Sequence, residues 1–193
     1  MKKSIKYLLL LLAVCFIAGF AYIKYKTIYK GSANIILLNL GQDYTPFKDI
    51  VKLPQFKNKV IYVDIWGTTC PPCFDELKNY SPQLTSRYKD STDIAFLYIC
   101  LDTHPFPEVR WKEKIEKLQP FGYHILVDER AEVKLATDIV GQAVDGKYFP
   151  YLPCYLIVDK KGNIAKRPTL DPENGEMLPS ATTLLYKRLD SIR

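Results

Sequence analysis

The chain carries five cysteines in 193 residues, and two of them stand three apart as Cys70-Pro71-Pro72-Cys73. A cysteine attacks a disulfide only as its thiolate, so reactivity depends on what stabilises the charged sulfur. Ahead of the pair runs Val60-Ile61-Tyr62-Val63-Asp64-Ile65-Trp66, an apolar, β-branched stretch suited to a strand buried on both faces. Gly67-Thr68-Thr69 breaks it, and Phe74-Asp75-Glu76-Leu77-Lys78 is compatible with a helix. Cys70 therefore falls at a helix N-cap, where unpaired N–H groups and the helix dipole favour negative charge. Pro71 suits the first helical position. Cys70 reads as the exposed nucleophile and Cys73, a turn inward, as the buried resolving thiol. Two intervening residues let the pair close a small disulfide ring. Half of a zinc site and a purely structural disulfide are the other readings of C-x-x-C. Zinc needs two further ligands at matching spacing, and no second C-x-x-C or H-x3-5-H occurs. No metal and no cofactor are expected.

The stretch V-D-I-W-G-T-T-C-P-P-C resembles the active-site segment of the thioredoxin superfamily. It is most similar to the TlpA-like membrane-anchored or periplasmic thiol–disulfide oxidoreductases, whose pattern is W-x-x-W-C-x-P-C. Thr69 stands where that pattern has its second tryptophan. Tyr151-Leu152-Pro153-Cys154-Tyr155-Leu156-Ile157-Val158-Asp159 resembles the second signature, a cis-proline opening a strand. The resemblance implies an α/β thioredoxin fold, a central mixed sheet flanked by helices, with a redox-active Cys70–Cys73 disulfide. It implies that Pro153 packs against the cysteine pair and that the Leu152 backbone pairs with a bound substrate chain. Trp66 and Leu152 become the substrate-docking residues. Asp64 shares a strand face with Tyr62 and Trp66, and burial there should raise its pKa. By resemblance Asp64 takes the proton from Cys73 during resolution.

Around these residues the pattern predicts the elements that must position them. Asp93–Leu101 reads as a second buried strand, with Cys100 as a buried apolar thiol. Asp102-Thr103-His104-Pro105-Phe106-Pro107 follows at the sheet edge where sites in open α/β folds gather. His104 belongs to that edge and reads first as a solvated loop histidine. Phe74–Lys89 is the active-site helix, interrupted at Ser81-Pro82 by a kink or by a second helix capped by Ser81. Pro107–Gln119 is a helix, His124–Val127 a third strand and Ala131–Val140 a short helix. The loop from Ala143 to Tyr151 offers Tyr148, Phe149 and Tyr151 as a docking rim or as ordinary packing. Cys154 is a third thiol near the pair, a small buried side chain or a trap for a disulfide or metal. A hairpin turn at Asp159–Asn163, an edge strand at Ile164–Lys166 and a closing helix from Leu178 or Ser180 to Ile192 complete the layout.

The leader sets the compartment. Residues 1–26 read as a signal anchor or signal peptide, 27–50 as linker and a possible first strand at Asn34–Leu38, and 51–193 as the thioredoxin-like domain. Lys2, Lys3 and Lys6 precede a continuous apolar run from Tyr7 to Ile23. An uncleaved inner-membrane anchor with the domain in the periplasm is favoured. A cleaved soluble form is the first alternative, and a lipoprotein at Leu12-Ala13-Val14-Cys15 the second. The net charge of +6 lacks a basic cluster interleaved with aromatics, so no nucleic-acid partner is expected. The partners expected are exported protein thiols and disulfides and, by resemblance, an upstream membrane electron donor. Pro71 and Pro72 both lack an N–H, and no histidine stands between the cysteines. Both features point to a less acidic Cys70 and a reductant, of the cytochrome c maturation or periplasmic thiol-repair type. The alternatives are a soft-metal carrier using Cys70, Cys73, Cys154 or His104, and a binding domain with an inert disulfide.

Overall fold

The computed structural model describes residues 2–40, 45–102, 104–127, 129–140, 152–166 and 183–192. Its centre is β3 (Val60–Gly67) beside β4 (Ile94–Leu101), every residue of both strands buried. Continuous apolar runs of this kind cannot sit at a wet edge, so they occupy the middle of the sheet. The sheet order is β1-β2-β5-β4-β3-β6-β7. Its other strands are β1 (Gly31–Ser32), β2 (Ile35–Leu37), β5 (Gly122–Val127), β6 (Cys154–Val158) and β7 (Ile164–Lys166). β2, β5, β4 and β3 run parallel, whereas β1, β6 and β7 pair antiparallel with their neighbours. The sheet thus begins at Gly31, within the stretch read as linker and possible first strand.

Strand alternation divides the core into two layers. Tyr62, Trp66, Phe96, Tyr98, Cys100, Tyr155 and Ile157 face one layer together with Cys73, Leu77 and Leu84. Ile61, Val63, Ile65, Leu97, Ile99, Leu156 and Val158 face the other, against Phe47, Ile50, Leu135 and Ile139. Helices cover both faces: α2 (Phe47–Ile50), α3 (Pro71–Asp75), α4 (Ser81–Tyr88), α5 (Pro107–Leu118), α6 (Glu129–Val140) and α7 (Thr183–Asp190). Gly122 enters β5 at φ +141, and a Cβ there would lie 2.7 Å from the Phe96 carbonyl oxygen. Only glycine lets β5 close up on β4 at that point.

The first helix, α1 (Lys2–Ile28), is apolar along Ile5–Lys24, and this stretch is not buried against the rest of the protein. It is long enough to cross a membrane. Its later part packs along α5, and Tyr22 Oη donates to Glu113 Oε1 at 3.4 Å. Tyr29 then packs against the layer that holds Cys73. The aromatic loop with Tyr148, Phe149 and Tyr151 lies outside the described residues.

Candidate active site

Cys70 and Cys73 form a disulfide with their Cα atoms 5.3 Å apart. Cys70 is the N-cap of α3 with extended backbone, and Pro71 and Pro72 open the helix. Its Sγ accepts a hydrogen bond from the Cys73 N–H at 3.2 Å. Cys73 is fully buried, whereas Cys70 is half-buried and open to attack. The cap leaves one sulfur at the surface and seats the other inside.

Pro82 lacks the N–H that would continue the helix ladder, and its ring crowds the turn before it. Glu76–Tyr80 accordingly widens into a π turn, in which Ser81 N–H bonds the Glu76 carbonyl five residues back. Ser81 therefore does not cap a second helix as the sequence suggested. It is already helical, and its hydroxyl hydrogen-bonds Tyr98 Oη at 2.7 Å inside the core. Glu76 is buried at the head of this π turn. Sequence reasoning missed it, although a position three after a buried helical cysteine shares that cysteine's side of the helix.

Asp64 is fully buried, and neither carboxylate oxygen has a hydrogen-bond partner among the described residues. Burial pushes its pKa well above the ordinary carboxylate range, and the nearby Glu76 charge pushes it further. Asp64 lies opposite Tyr155 on β6 and opposite Tyr98 on β4, and Tyr98 lies opposite His124 on β5. Four polar side chains thus form one row across the sheet, on the face that carries Cys73. His124 stacks on Tyr98 with ring centroids 4.9 Å apart and donates from Nε2 to the Pro120 carbonyl at 2.9 Å. Burial depresses its pKa to about 4, so the imidazole is neutral.

The Leu152–Pro153 peptide bond is cis. Leu152 packs against both core layers, and a side chain on Gly67 would meet Leu152 Cδ1 at 3.5 Å and Cys70 Cβ at 3.7 Å. Leu152 and Cys70 therefore flank Gly67 at the end of β3. Trp66 departs from its expected docking role. It is fully buried on the layer with Cys73 and has no surface to offer a partner. Cys154 is opposite Ile65 and packs with the other layer, so the sheet separates it from the Cys70–Cys73 pair. His104 stands half-exposed, its Nδ1 3.1 Å from Asp102 Oδ1. The four suggested soft ligands are thus not brought together, and no group of three metal-ligating side chains occurs among the described residues. Cys100 faces the disulfide layer, its thiol pushed well up by burial.

The redoxin family profile matches residues 47–185. The chain belongs to the redoxin family. Among solved structures, this redoxin is similar to the thioredoxin domain of a thiol–disulfide oxidoreductase from Bacteroides vulgatus. The identity is 18%, over 73% of this chain and 84% of that one, with a TM-score of 0.53. A thiol:disulfide interchange protein from Bacteroides sp. is 19% identical over 72% of this chain and 77% of its own, at a TM-score of 0.51. A thiol–disulfide oxidoreductase from Bacteroides fragilis is 20% identical over 72% and 87%, at 0.50. At these identities the likeness is one of fold. No curated protein sequence matches the chain. Family membership and the N-capping disulfide together make this redoxin a thiol–disulfide oxidoreductase of the thioredoxin superfamily.

Proposed function

We propose that the redoxin reduces disulfides in exported proteins, anchored by α1 in the inner membrane with its domain in the periplasm. In the reduced state the Cys70 thiolate attacks a substrate disulfide, and one substrate sulfur leaves as a thiolate. Cys73 then gives its proton to the buried Asp64 carboxylate and attacks Cys70 Sγ. The mixed disulfide breaks, the second substrate thiolate departs, and the Cys70–Cys73 disulfide remains. The substrate gains two electrons and the redoxin loses two. A membrane electron donor is required to return them.

The observation that carries the direction is the cap itself. With prolines at both following positions, the Cys73 N–H is the donor that reaches Cys70 Sγ. Fewer donors mean a less stabilised thiolate, and a less stabilised thiolate makes a more reducing couple. The apolar span Ile5–Lys24 supports the anchored location. The Leu152 side chain beside Gly67, at the turn that delivers Cys70, supports substrate docking at this edge through the Leu152 backbone, next to Pro153.

Equilibration of the Cys70–Cys73 couple against dithiothreitol and glutathione buffers tests the direction. A potential near thioredoxin's, about −270 mV, is expected. A value near about −120 mV would make the redoxin an oxidant and overturn the proposal.

A further inference from the structure

The loop that delivers Cys70 is bolted to the far end of β4 by a buried polar cluster. Thr68, two residues before Cys70, is buried, and its Oγ1 donates to Asp102 Oδ2. Arg110, on the first turn of α5, spans the same two residues. Its terminal nitrogen donates to Thr68 Oγ1 at 2.8 Å and to Asp102 Oδ1 and Oδ2 at 2.9 and 3.0 Å. Arg110 Nε adds a bond to Asp102 Oδ2 at 3.1 Å. The His104 N–H and Nδ1 both meet Asp102 Oδ1, at 2.9 and 3.1 Å. Burial alone would raise the Asp102 carboxyl, but the Thr68 and His104 hydrogen bonds and the Arg110 charge outweigh it and hold it below the usual range. The aspartate side chain is wholly inaccessible, while Arg110 stays about one-third exposed.

A bidentate arginine on a buried carboxylate fixes geometry as well as charge. Here the fixed object is the turn Gly67–Cys70, closed by the Cys70 N–H to the Gly67 carbonyl at 3.2 Å. Both charged groups bond Thr68, which stands two residues before the sulfur that becomes an anion. Balanced, they leave the Cys70 thiolate nearly untouched. Unbalanced, either one would shift it.

We propose that Asp102 and Arg110 are positioning residues for thiol–disulfide exchange, a charge-balanced clamp that holds the Cys70 turn through Thr68 and sets the acidity of its thiolate. This deepens the proposed function and rests on Cys70 being the attacking sulfur. Asp102→Asn leaves the guanidinium uncompensated and stabilises the thiolate. Arg110→Gln leaves the carboxylate uncompensated and does the reverse. A group that merely holds the fold together would move both variants the same way.

The test is the pH profile of Cys70 alkylation by iodoacetamide, followed by mass spectrometry of the Cys70 peptide in the reduced full chain in mild detergent. His104 bonds the same carboxylate, so the series is made in a His104→Gln background. Asp102→Asn should lower the Cys70 midpoint by roughly half to one pH unit, and Arg110→Gln should raise it by a similar amount. The double variant should return close to the parent, and Arg110→Lys should stay near it. Shifts of the same sign, or a double variant displaced as far as either single one, overturn the clamp. Should either single variant fail to fold, the double variant against the surviving single one still reads the sign. Thr68→Val should slow alkylation severalfold without moving the midpoint, and Thr68→Ser should restore the rate. An unchanged rate in Thr68→Val would remove Thr68 from the device. If Cys70 is not alkylated ahead of Cys73 in the parent, the underlying assignment of the nucleophile fails instead.

Discussion

Asp64 and His124 sit in one polar row yet pull stability in opposite directions as pH changes. Burial keeps the Asp64 proton on in the folded chain after the unfolded chain has lost it. Its contribution is therefore full below the unfolded pKa of about 3.9. It is lost at about 1.4 kcal/mol per unit as pH rises toward the folded value. His124 behaves the other way, because its folded pKa is depressed to about 4. The unfolded chain binds a proton between about pH 4 and 6.5 that the folded chain refuses, so stability rises by about 3 kcal/mol across that window. Wherever in that window folded Asp64 keeps its proton the two slopes oppose each other, so the wild-type chain should respond to pH less steeply there than a chain with either group alone. Asp102 and Asp159 are both held below their ordinary range. Their contributions are present above the unfolded value and fade only as pH falls through the folded ones, beneath this window. Asp64→Asn removes one slope and should expose the other, a stability that climbs with pH. His124→Gln should leave the opposite, a stability that falls. The assay is urea denaturation of the oxidised chain in mild detergent at several pH values. The slope is the quantity to read, because it is independent of any constant packing cost of the substitution. If Asp64→Asn runs parallel to wild type throughout, the folded chain titrates Asp64 like an exposed carboxyl and the burial argument fails.

Other outcomes follow from the same geometry. Cys73→Ser should trap a mixed disulfide between Cys70 and substrate, visible as a reducible adduct on gels, whereas Cys70→Ser should give none. Glu76→Gln removes the charge that raises Asp64 and should move the pH midpoint of the resolution step downward, read by rapid-quench trapping of the mixed disulfide. Gly122→Ala forces a Cβ to 2.7 Å from the Phe96 carbonyl at a left-handed φ, and should lower stability by about 3 kcal/mol in the same denaturation assay. Tyr98→Phe strips the buried partner from Ser81 and should cost about 1–2 kcal/mol, with little effect on the reduction potential.

What the sequence disclosed was local. A β-branched run, a turn and a C-x-x-C locate β3, the N-cap and the buried second sulfur within one short stretch, and alternation alone puts Asp64 on the Trp66 face. Glu76 escaped because a glutamate on a helix is usually solvated. Only the i, i+3 relation to an inward cysteine marks it. Trp66 was misassigned because proximity to the cysteines in sequence says nothing of accessibility, and the strand's two-sided burial decides that. Thr68, Asp102 and Arg110 lie 34 and 42 residues apart in the chain, so their meeting is a product of the parallel β3–β4 pairing. Cys154 shows the same lesson in reverse. It follows Pro153 directly, yet the pleat sends it to the opposite layer.

The junction between α1 and the domain carries a kinetic consequence. The helix continues to Ile28, touches α5 through Tyr22 and hands over to Tyr29, which packs partly buried against the core. On the proposed anchoring of Ile5–Lys24 in a bilayer, α1 would run into the domain with little chain between them for the domain to swing on. Its reach would then be little more than its own radius, and a search for membrane partners would become two-dimensional. Turnover with such partners would follow lateral diffusion and copy number per area. A soluble substrate, in contrast, would have to travel to the surface and find the Cys70 side of a domain with little freedom to turn.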